Sequence, residues 1–239
     1  MTSDDGELPI GCPVPTLQNP EPPSQRPLVG RYITLKPPEP DRDAPELFLI
    51  SHGSEEKRRL WTYMPYGPFS NENALRDWLD EQAQSVDPLF FVVTDNVRGG
   101  CLGMLSFLNI VPVMRRLELG HIWYGPIAQH SRTNTEAVYL MLCETFDRLH
   151  YRRAEWKCDA LNARSRTAAL RLGFSYEGLF RQHSIVKGRN RDTAWFAMMD
   201  HEWPKVKANM ERWLYSSEPG LSLRQLNQAN GLTPERRAL

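Results

Sequence analysis

The residues most able to do chemistry lie between Leu117 and Thr135. Glu118 sits in the otherwise apolar run LELGHIWYG. A carboxylate there is costly unless it is paired or used. Partly buried, it would have a raised pKa and could take a proton from a nucleophile as general base. The plainer alternative is a structural glutamate paired with Arg115 or Arg116. His121, three residues on, is a second and weaker candidate. Strict strand alternation puts Glu118, Gly120, Ile122 and Tyr124 on one face, with His121 and Trp123 on the other. The polar stretch that follows, Ala128 to Thr135, precedes an amphipathic run with Val138, Met141, Leu142, Phe146 and Leu149 at helical spacing. Backbone N–H groups at such a helix start can cradle an anion such as pyrophosphate, with His130 and Arg132 adding charge or hydrogen bonds. An ordinary βα loop with a capped helix fits equally well, and Thr133-x-x-Glu136 has the spacing of a capping box. The loop has no glycine, although close backbone approach to phosphate favours one.

Two further groups stand out. Asn162 opens the stretch NARSRTAALRLGF as an N-cap, with Ser165 one turn on; Asn162 could equally hydrogen-bond an amide-rich ligand. Arg181, Lys187, Arg189, Arg191 and Asp192 crowd the last hairpin and read as a solvated basic turn. Trp61, Tyr63 and Tyr66 lie in the aromatic, proline-broken segment WTYMPYGPF, either as core or as the wall of a pocket.

These residues need a scaffold, and the patterning predicts one. Strands are expected at 31–36, 89–94, 101–111, 116–124, 153–159, 174–186 and 193–199, and helices at 41–50, 54–60, 72–85, 133–149, 162–172 and 205–215. Order should begin near Arg31, after a proline-rich arm (1–29) that is disordered or loosely draped. Residues 30–203 make one α/β domain, and 204–239 a helix followed by a polar tail.

Composition removes several classes. Lys plus Arg and Asp plus Glu are equal at 29 each, so no global field draws in nucleic acid or an acidic membrane. No apolar run approaches the ~20 residues of a membrane helix, and the acidic first residues do not resemble a secretory signal. Four scattered cysteines without a CxxC pair argue against a zinc site or a disulfide framework, so no metal is expected and a cytoplasmic protein is the default.

The segment from Arg152 to Trp203, with its Asn162…Ser165…Leu172-Gly173-Phe174…Glu177-Gly178…Arg181 spacing, resembles the C-terminal half of the GCN5-related N-acetyltransferase (GNAT) superfamily. The LELGHIWYGP strand before a Thr135-Glu136-Ala137 helix supports the resemblance, which is nearest to the ribosomal-protein N-terminal (Rim-type) branch. It implies an α/β GNAT fold: a mixed, mostly antiparallel central sheet flanked by helices, with splayed fourth and fifth strands. It further implies an acyl-CoA-dependent N-acyltransferase, with acetyl-CoA as donor and a small-molecule amine or peptide N-terminus as acceptor.

By that resemblance the pantetheine arm pairs with the backbone of His121 to Tyr124, and so with Ile122 and Trp123. The pyrophosphate lies on Gln129, His130, Ser131, Arg132, Thr133, Asn134 and Thr135, while Asn162 and Ser165 help hold the arm. A backbone N–H near Trp123 or Tyr124 stabilises the oxyanion, and Glu118, directly or through water, takes the ammonium proton. Trp61, Tyr63, Tyr66 and Arg181 surround the acceptor, and a homodimer is compatible with this picture. Two departures are evident. The family's Q/R-x-x-G-x-G/A loop reads Gln129-His-Ser-Arg-Thr-Asn134, with both glycines replaced. Ala169 stands where many members place an acidic tyrosine. The competing reading is a GNAT-fold binding module that no longer takes CoA.

Overall fold

Eight strands form one sheet in the order β1-β2-β3-β4-β5-β6-β8-β7 in a computed structural model that describes residues 8–14 and 21–229. They are β1 (Leu28–Val29), β2 (Ile33–Lys36), β3 (Leu89–Asp95), β4 (Cys101–Val111), β5 (Arg116–Tyr124), β6 (Arg153–Asp159), β7 (Ser175–Val186) and β8 (Arg189–Met199). Every pairing is antiparallel except β5 with β6. The helices are α1 (Pro40–Ser51), α2 (Glu55–Arg58), α3 (Glu72–Ala83), α4 (Thr133–Leu142), α5 (Ala163–Arg171), α6 (Trp203–Tyr215) and α7 (Leu223–Ala229). Strand pairing begins at Leu28, slightly before the patterning suggests, and α7 adds a short helix to the expected polar tail. The remaining parts of the expected arm and tail, 1–7, 15–20 and 230–239, lie outside the described residues. From residue 21 the arm is tied down: Gln25 donates to the Ala83 carbonyl, Arg26 pairs with Glu144, and the Tyr151 hydroxyl donates to the Glu21 carbonyl.

The sheet separates two apolar layers. On one side Phe90, Val92, Met104 and Trp123 pack with Leu47 of α1 and Leu75 and Leu79 of α3. On the other, Phe91, Leu105, Leu117, Leu119 and Tyr124 pack with α4, α5 and α6 through Val138, Met141, Ala169, Val206 and Met210. The alternation within β3 and β4 is therefore what divides the core. No helix among the described residues is long and apolar enough to cross a membrane.

The β5–β6 junction departs from a regular sheet. The two parallel strands pair only from Arg116 to Glu118 against Arg153 to Glu155. Beyond Glu118 they part while β5 stays bonded to β4, so its far edge, from Leu119 to Tyr124, opens into the splay. The fourth and fifth strands of the sequence-based expectation, here β5 and β6, are the pair that separates.

The start of α4 corrects one expectation. Glu136 does not reach back into a capping box. It is fully buried and accepts hydrogen bonds from the backbone N–H groups of Arg31 (2.9 Å), Tyr32 (2.8 Å) and Ile33 (2.8 Å), and from the Tyr215 hydroxyl (2.8 Å). A carboxylate is acceptor-only, so four donors converging on it satisfy it without a cation. Its negative charge is thereby turned away from the loop before the helix. A Cβ at Gly30 would lie 2.8 Å from the Glu136 carboxyl carbon, which is why the chain needs glycine there. We expect Glu136→Gln, which points an N–H₂ at other donors, to cost about 3 kcal/mol. Urea denaturation measures this, and a change below about 0.5 kcal/mol, the scale of an indifferent surface substitution, would show that the tie is not structural.

Candidate active site

A β-bulge shapes the centre of β5. Met104 pairs with Trp123 and Ser106 with Gly120, so three steps on β5 match two on β4. The extra residue is absorbed near His121, whose φ is 53°. Strict alternation therefore fails. Glu118, Gly120, His121 and Trp123 share the α1–α3 face, whereas Ile122 and Tyr124 turn to the α4 face. An inserted residue shifts the phase of a strand by one, and this moves both candidate bases to one side. Gly103 permits the close approach: a Cβ there would stand 2.1 Å from the Trp123 carbonyl oxygen.

Glu118 is 5% exposed. Its Oε2 lies 2.9 Å from Lys157 Nζ and accepts a 2.6 Å hydrogen bond from Asn109 Nδ2. Burial raises its pKa, against the opposing pull of Lys157 and Asn109. Lys157 also lies 2.9 Å from Glu155 Oε2 and stands over the Trp195 ring at 3.9 Å. For Glu155 burial is the largest influence and pushes upward, but Arg153 and Lys157 together outweigh it and hold the carboxyl below its ordinary value. Glu118 thus has a structural partner as well as a perturbed pKa. The partner is Lys157, 39 residues further along by its number, rather than Arg115 or Arg116.

His121 stacks on Phe90 (5.0 Å, 3°) and shares a 3.1 Å hydrogen bond through Nδ1 with Ser106 Oγ. Burial lowers its pKa to about 4, with Arg191 adding to the shift. A neutral imidazole of such low basicity is a poorer acceptor for an ammonium proton than Glu118. Tyr124 is buried on the opposite face, and its hydroxyl has no hydrogen-bond partner.

The loop before α4 is largely occupied with itself. Pro126–Ala128 forms a 3₁₀ turn that uses the Ala128 and Gln129 N–H groups. Gln129 Nε2 donates to the Tyr124 carbonyl at 3.1 Å. Ser131 Oγ donates to the Ala128 carbonyl and accepts from the Thr133 N–H. His130 holds φ 59°, a left-handed conformation without glycine. Arg132 turns from the loop to α6, where it donates to the Leu214 carbonyl (2.9 Å) and the Tyr32 hydroxyl (2.6 Å). Thr135 Oγ1 accepts from Arg171 at 3.0 Å, and Asn134 Oδ1 is buried without a partner. The first-turn N–H groups of α4 beyond Thr133 keep the positive end of the helix available.

Across the splay, Asn162 caps α5 by accepting from the Ser165 N–H (3.1 Å), and Ser165 Oγ accepts from Trp156 Nε1 (2.9 Å). The cap uses only the Asn162 oxygen, leaving its amide N–H₂ available. On the opposite face Trp61 is 1% exposed, donates to the Ser51 carbonyl and packs against Trp123 at 5.2 Å, so it forms the floor. The Tyr63 hydroxyl donates to the Leu161 carbonyl, while the buried Tyr66 hydroxyl and Trp123 Nε1 have each other as polar neighbours. Arg181 is exposed on β7. Lys187 donates to the Trp61 carbonyl at 2.9 Å, which draws the β7–β8 hairpin over this face. The described residues contain no cluster of His, Cys, Asp and Glu suited to a metal.

Asn109, Lys157, Arg191 and Trp195 are neighbours of the candidate site that the patterning did not single out for it. One signal was present for Lys157. Alternation in RAEWKCD puts Glu155 and Lys157 on one face of the strand that runs beside Glu118.

Residues 33–175 match the acetyltransferase (GNAT) domain family. A crystal structure of a GCN5-related N-acetyltransferase from Brucella melitensis is 38% identical, covers 89% of this chain and 100% of its own, and superposes with a TM-score of 0.83. Bacillus subtilis (strain 168) YdaF, named provisionally as a ribosomal N-acetyltransferase, is 25% identical over 183 residues, 75% of this chain and 97% of its own. The microcin C7 self-immunity acetyltransferase MccE, solved with acetyl-CoA and AMP, shares the fold at 23% identity (TM-score 0.62; 71% of this chain, 93% of its own). The open edge of β5, the bulge that gathers Glu118 and His121, and the helix start facing the splay are arranged on an acetyltransferase fold, and the chain belongs to the GNAT family of N-acetyltransferases.

Proposed function

We propose that this chain transfers an acetyl group from acetyl-CoA to a primary amine by direct attack, with Glu118 as general base. The observation that carries this reading is the unpaired inner edge of β5 from Leu119 to Tyr124, with Glu118 at its root. An extended amide-bearing arm can add to such an edge as a strand would. The fit continues at the α4 N-terminus for the pyrophosphate and at the Asn162 amide for the arm. The loop differs from the sequence-based proposal: Arg132 is engaged with α6 and the Ala128, Gln129 and Thr133 N–H groups are used within the loop, so the cradle would rest on the remaining backbone N–H groups at the start of α4.

The donor supplies a thioester carbonyl. On the α1–α3 face the amine nitrogen bonds to that carbonyl carbon, and the C–S bond breaks. A backbone N–H of the Ile122–Tyr124 stretch donates to the developing oxyanion. Glu118, directly or through one water, takes the ammonium proton, and the thiolate leaves to be protonated by solvent. Ala169, buried where a tyrosine acid would stand, provides no proton. The Trp61–Tyr66 loop and the β7–β8 hairpin enclose the acceptor.

Isothermal titration with acetyl-CoA tests the donor site directly. One-to-one binding in the micromolar range is expected. No binding at millimolar ligand would overturn the proposal in favour of a binding module that has lost CoA.

A further inference from the structure

On the acceptor face two buried hydrogen-bond donors, Arg191 Nε and Trp195 Nε1, have no partner. Buried donors are normally paired, so a charged one left without a partner calls for an acceptor that arrives from outside. Arg191 is the charged member. It follows Asn190 at the start of β8, on the same side of the strand as Thr193 and Trp195, and it lies near enough to His121 to depress that imidazole further.

The charges around it are already used. Glu118 and Glu155 share Lys157, Glu155 and Glu177 share Arg153, and Arg116 lies 3.8 Å from Glu155. That network has three carboxylates and three cations. The other nearby carboxylates are engaged as well: Asp87 accepts from the Asn109 and Ile110 N–H groups, Asp159 from the Leu161 N–H, and Asp192 from the Gln182 N–H and the Asn190 side-chain amide. Arg191 makes no ion pair within 4.0 Å among the described residues, and its Nε is sealed from solvent. A half-buried guanidinium with no anion beside it, on the strand that also carries the unpartnered Trp195 Nε1, is a receptor for an oxyanion. The sequence placed Arg191 in a solvated basic turn; the hairpin instead folds it inward.

We propose that Arg191 binds an anionic group on the acceptor, so that the preferred substrates are amines bearing a carboxylate or similar oxyanion close to the nucleophilic nitrogen. This rests on the reading of this face as the acceptor site. Glu118 receives the amine end and Arg191 the anionic end, which orients the nitrogen toward the β5 edge. Polycationic amines are disfavoured, because each would set a second cation against Arg191.

The test uses the full chain and two acid/amide pairs. These are alanine against alaninamide, and peptide amides beginning Ala-Asp against those beginning Ala-Asn, which separate a free amino acid from a peptide source. Calorimetric binding in the presence of CoA reads the acceptor site without turnover, and release of CoA from acetyl-CoA reads the reaction. In at least one pair the acid should be preferred over the amide by roughly tenfold or more. In Arg191→Gln that ratio should fall to near one, with KM for the acid raised about 30- to 100-fold and kcat little changed. Arg191→Lys keeps the charge and should recover part of the preference. Equal binding of acid and amide in both pairs, no binding of any probe at millimolar concentration, or an unchanged ratio in Arg191→Gln overturns the proposal. Failure of the donor reading would show separately, as absent acetyl-CoA binding.

Discussion

Glu118→Gln should lower turnover about 100- to 10,000-fold while leaving acetyl-CoA affinity nearly unchanged, because removing a general base affects proton transfer and not the donor's contacts. The substitution keeps shape and a hydrogen-bonding oxygen for Asn109, and Lys157 retains Glu155 as counter-ion, so the fold should hold. Steady-state rates at saturating acetyl-CoA, paired with calorimetry, measure both quantities. An unchanged rate would remove Glu118 from the chemistry and leave it as the buried partner of Lys157. The pH profile supplies a second signature. Burial raises the Glu118 pKa above its ordinary 4.5, and a base must be unprotonated to act, so activity should fall with decreasing pH through that raised value. The same shift has a cost in stability. A carboxyl whose pKa is raised by folding contributes stability below its unfolded pKa, and this is lost as pH rises through its folded pKa. Ionising this desolvated carboxyl therefore works against the fold, a cost that the proposed role of Glu118 as general base would account for.

Lys157→Met should be the most destabilising single change near the site. It leaves Glu118 and Glu155 without the ammonium that lies 2.9 Å from each, and breaking one side of a buried ion pair typically costs about 3–5 kcal/mol. Glu155 retains Arg153, so most of the penalty falls on Glu118, whose pKa should rise further. The loss should therefore depend on pH: largest above the raised Glu118 pKa, where the carboxylate is charged, and smaller below it, where the carboxyl is neutral. Urea denaturation at several pH values reads this directly. In the rate profile the acid limb should move to higher pH. A loss of stability independent of pH, with no movement of that limb, would mean that Lys157 serves only as packing against Trp195.

Much of this was legible from the chain before folding was considered. The element order follows from local patterns of apolar residues and turn residues, so every strand and helix but β1 and α7 is written in its own segment. Glu118 was conspicuous because a charge in an apolar strand is expensive wherever the strand ends up. Asn162 was legible as a cap, because capping is settled within one helical turn and its oxygen indeed accepts from Ser165. The GNAT spacing from Asn162 to Arg181 identified the fold family.

Only the tertiary structure decided how these residues face one another. The bulge at His121 exists because β4 offers two residues where β5 supplies three, and no window of β5 alone reports that mismatch. Glu136 has the spacing of a capping box, but the N–H groups of Arg31 to Ile33, up to 105 positions away, compete better for its carboxylate than its own helix does. Arg132 was drawn to α6 by Leu214, and Arg191 was turned inward when Lys187 fixed the hairpin to the Trp61 carbonyl. In each case the residue type fixed what chemistry was available. Which partner it met depended on contacts between segments far apart in the chain, and those form only when the sheet closes.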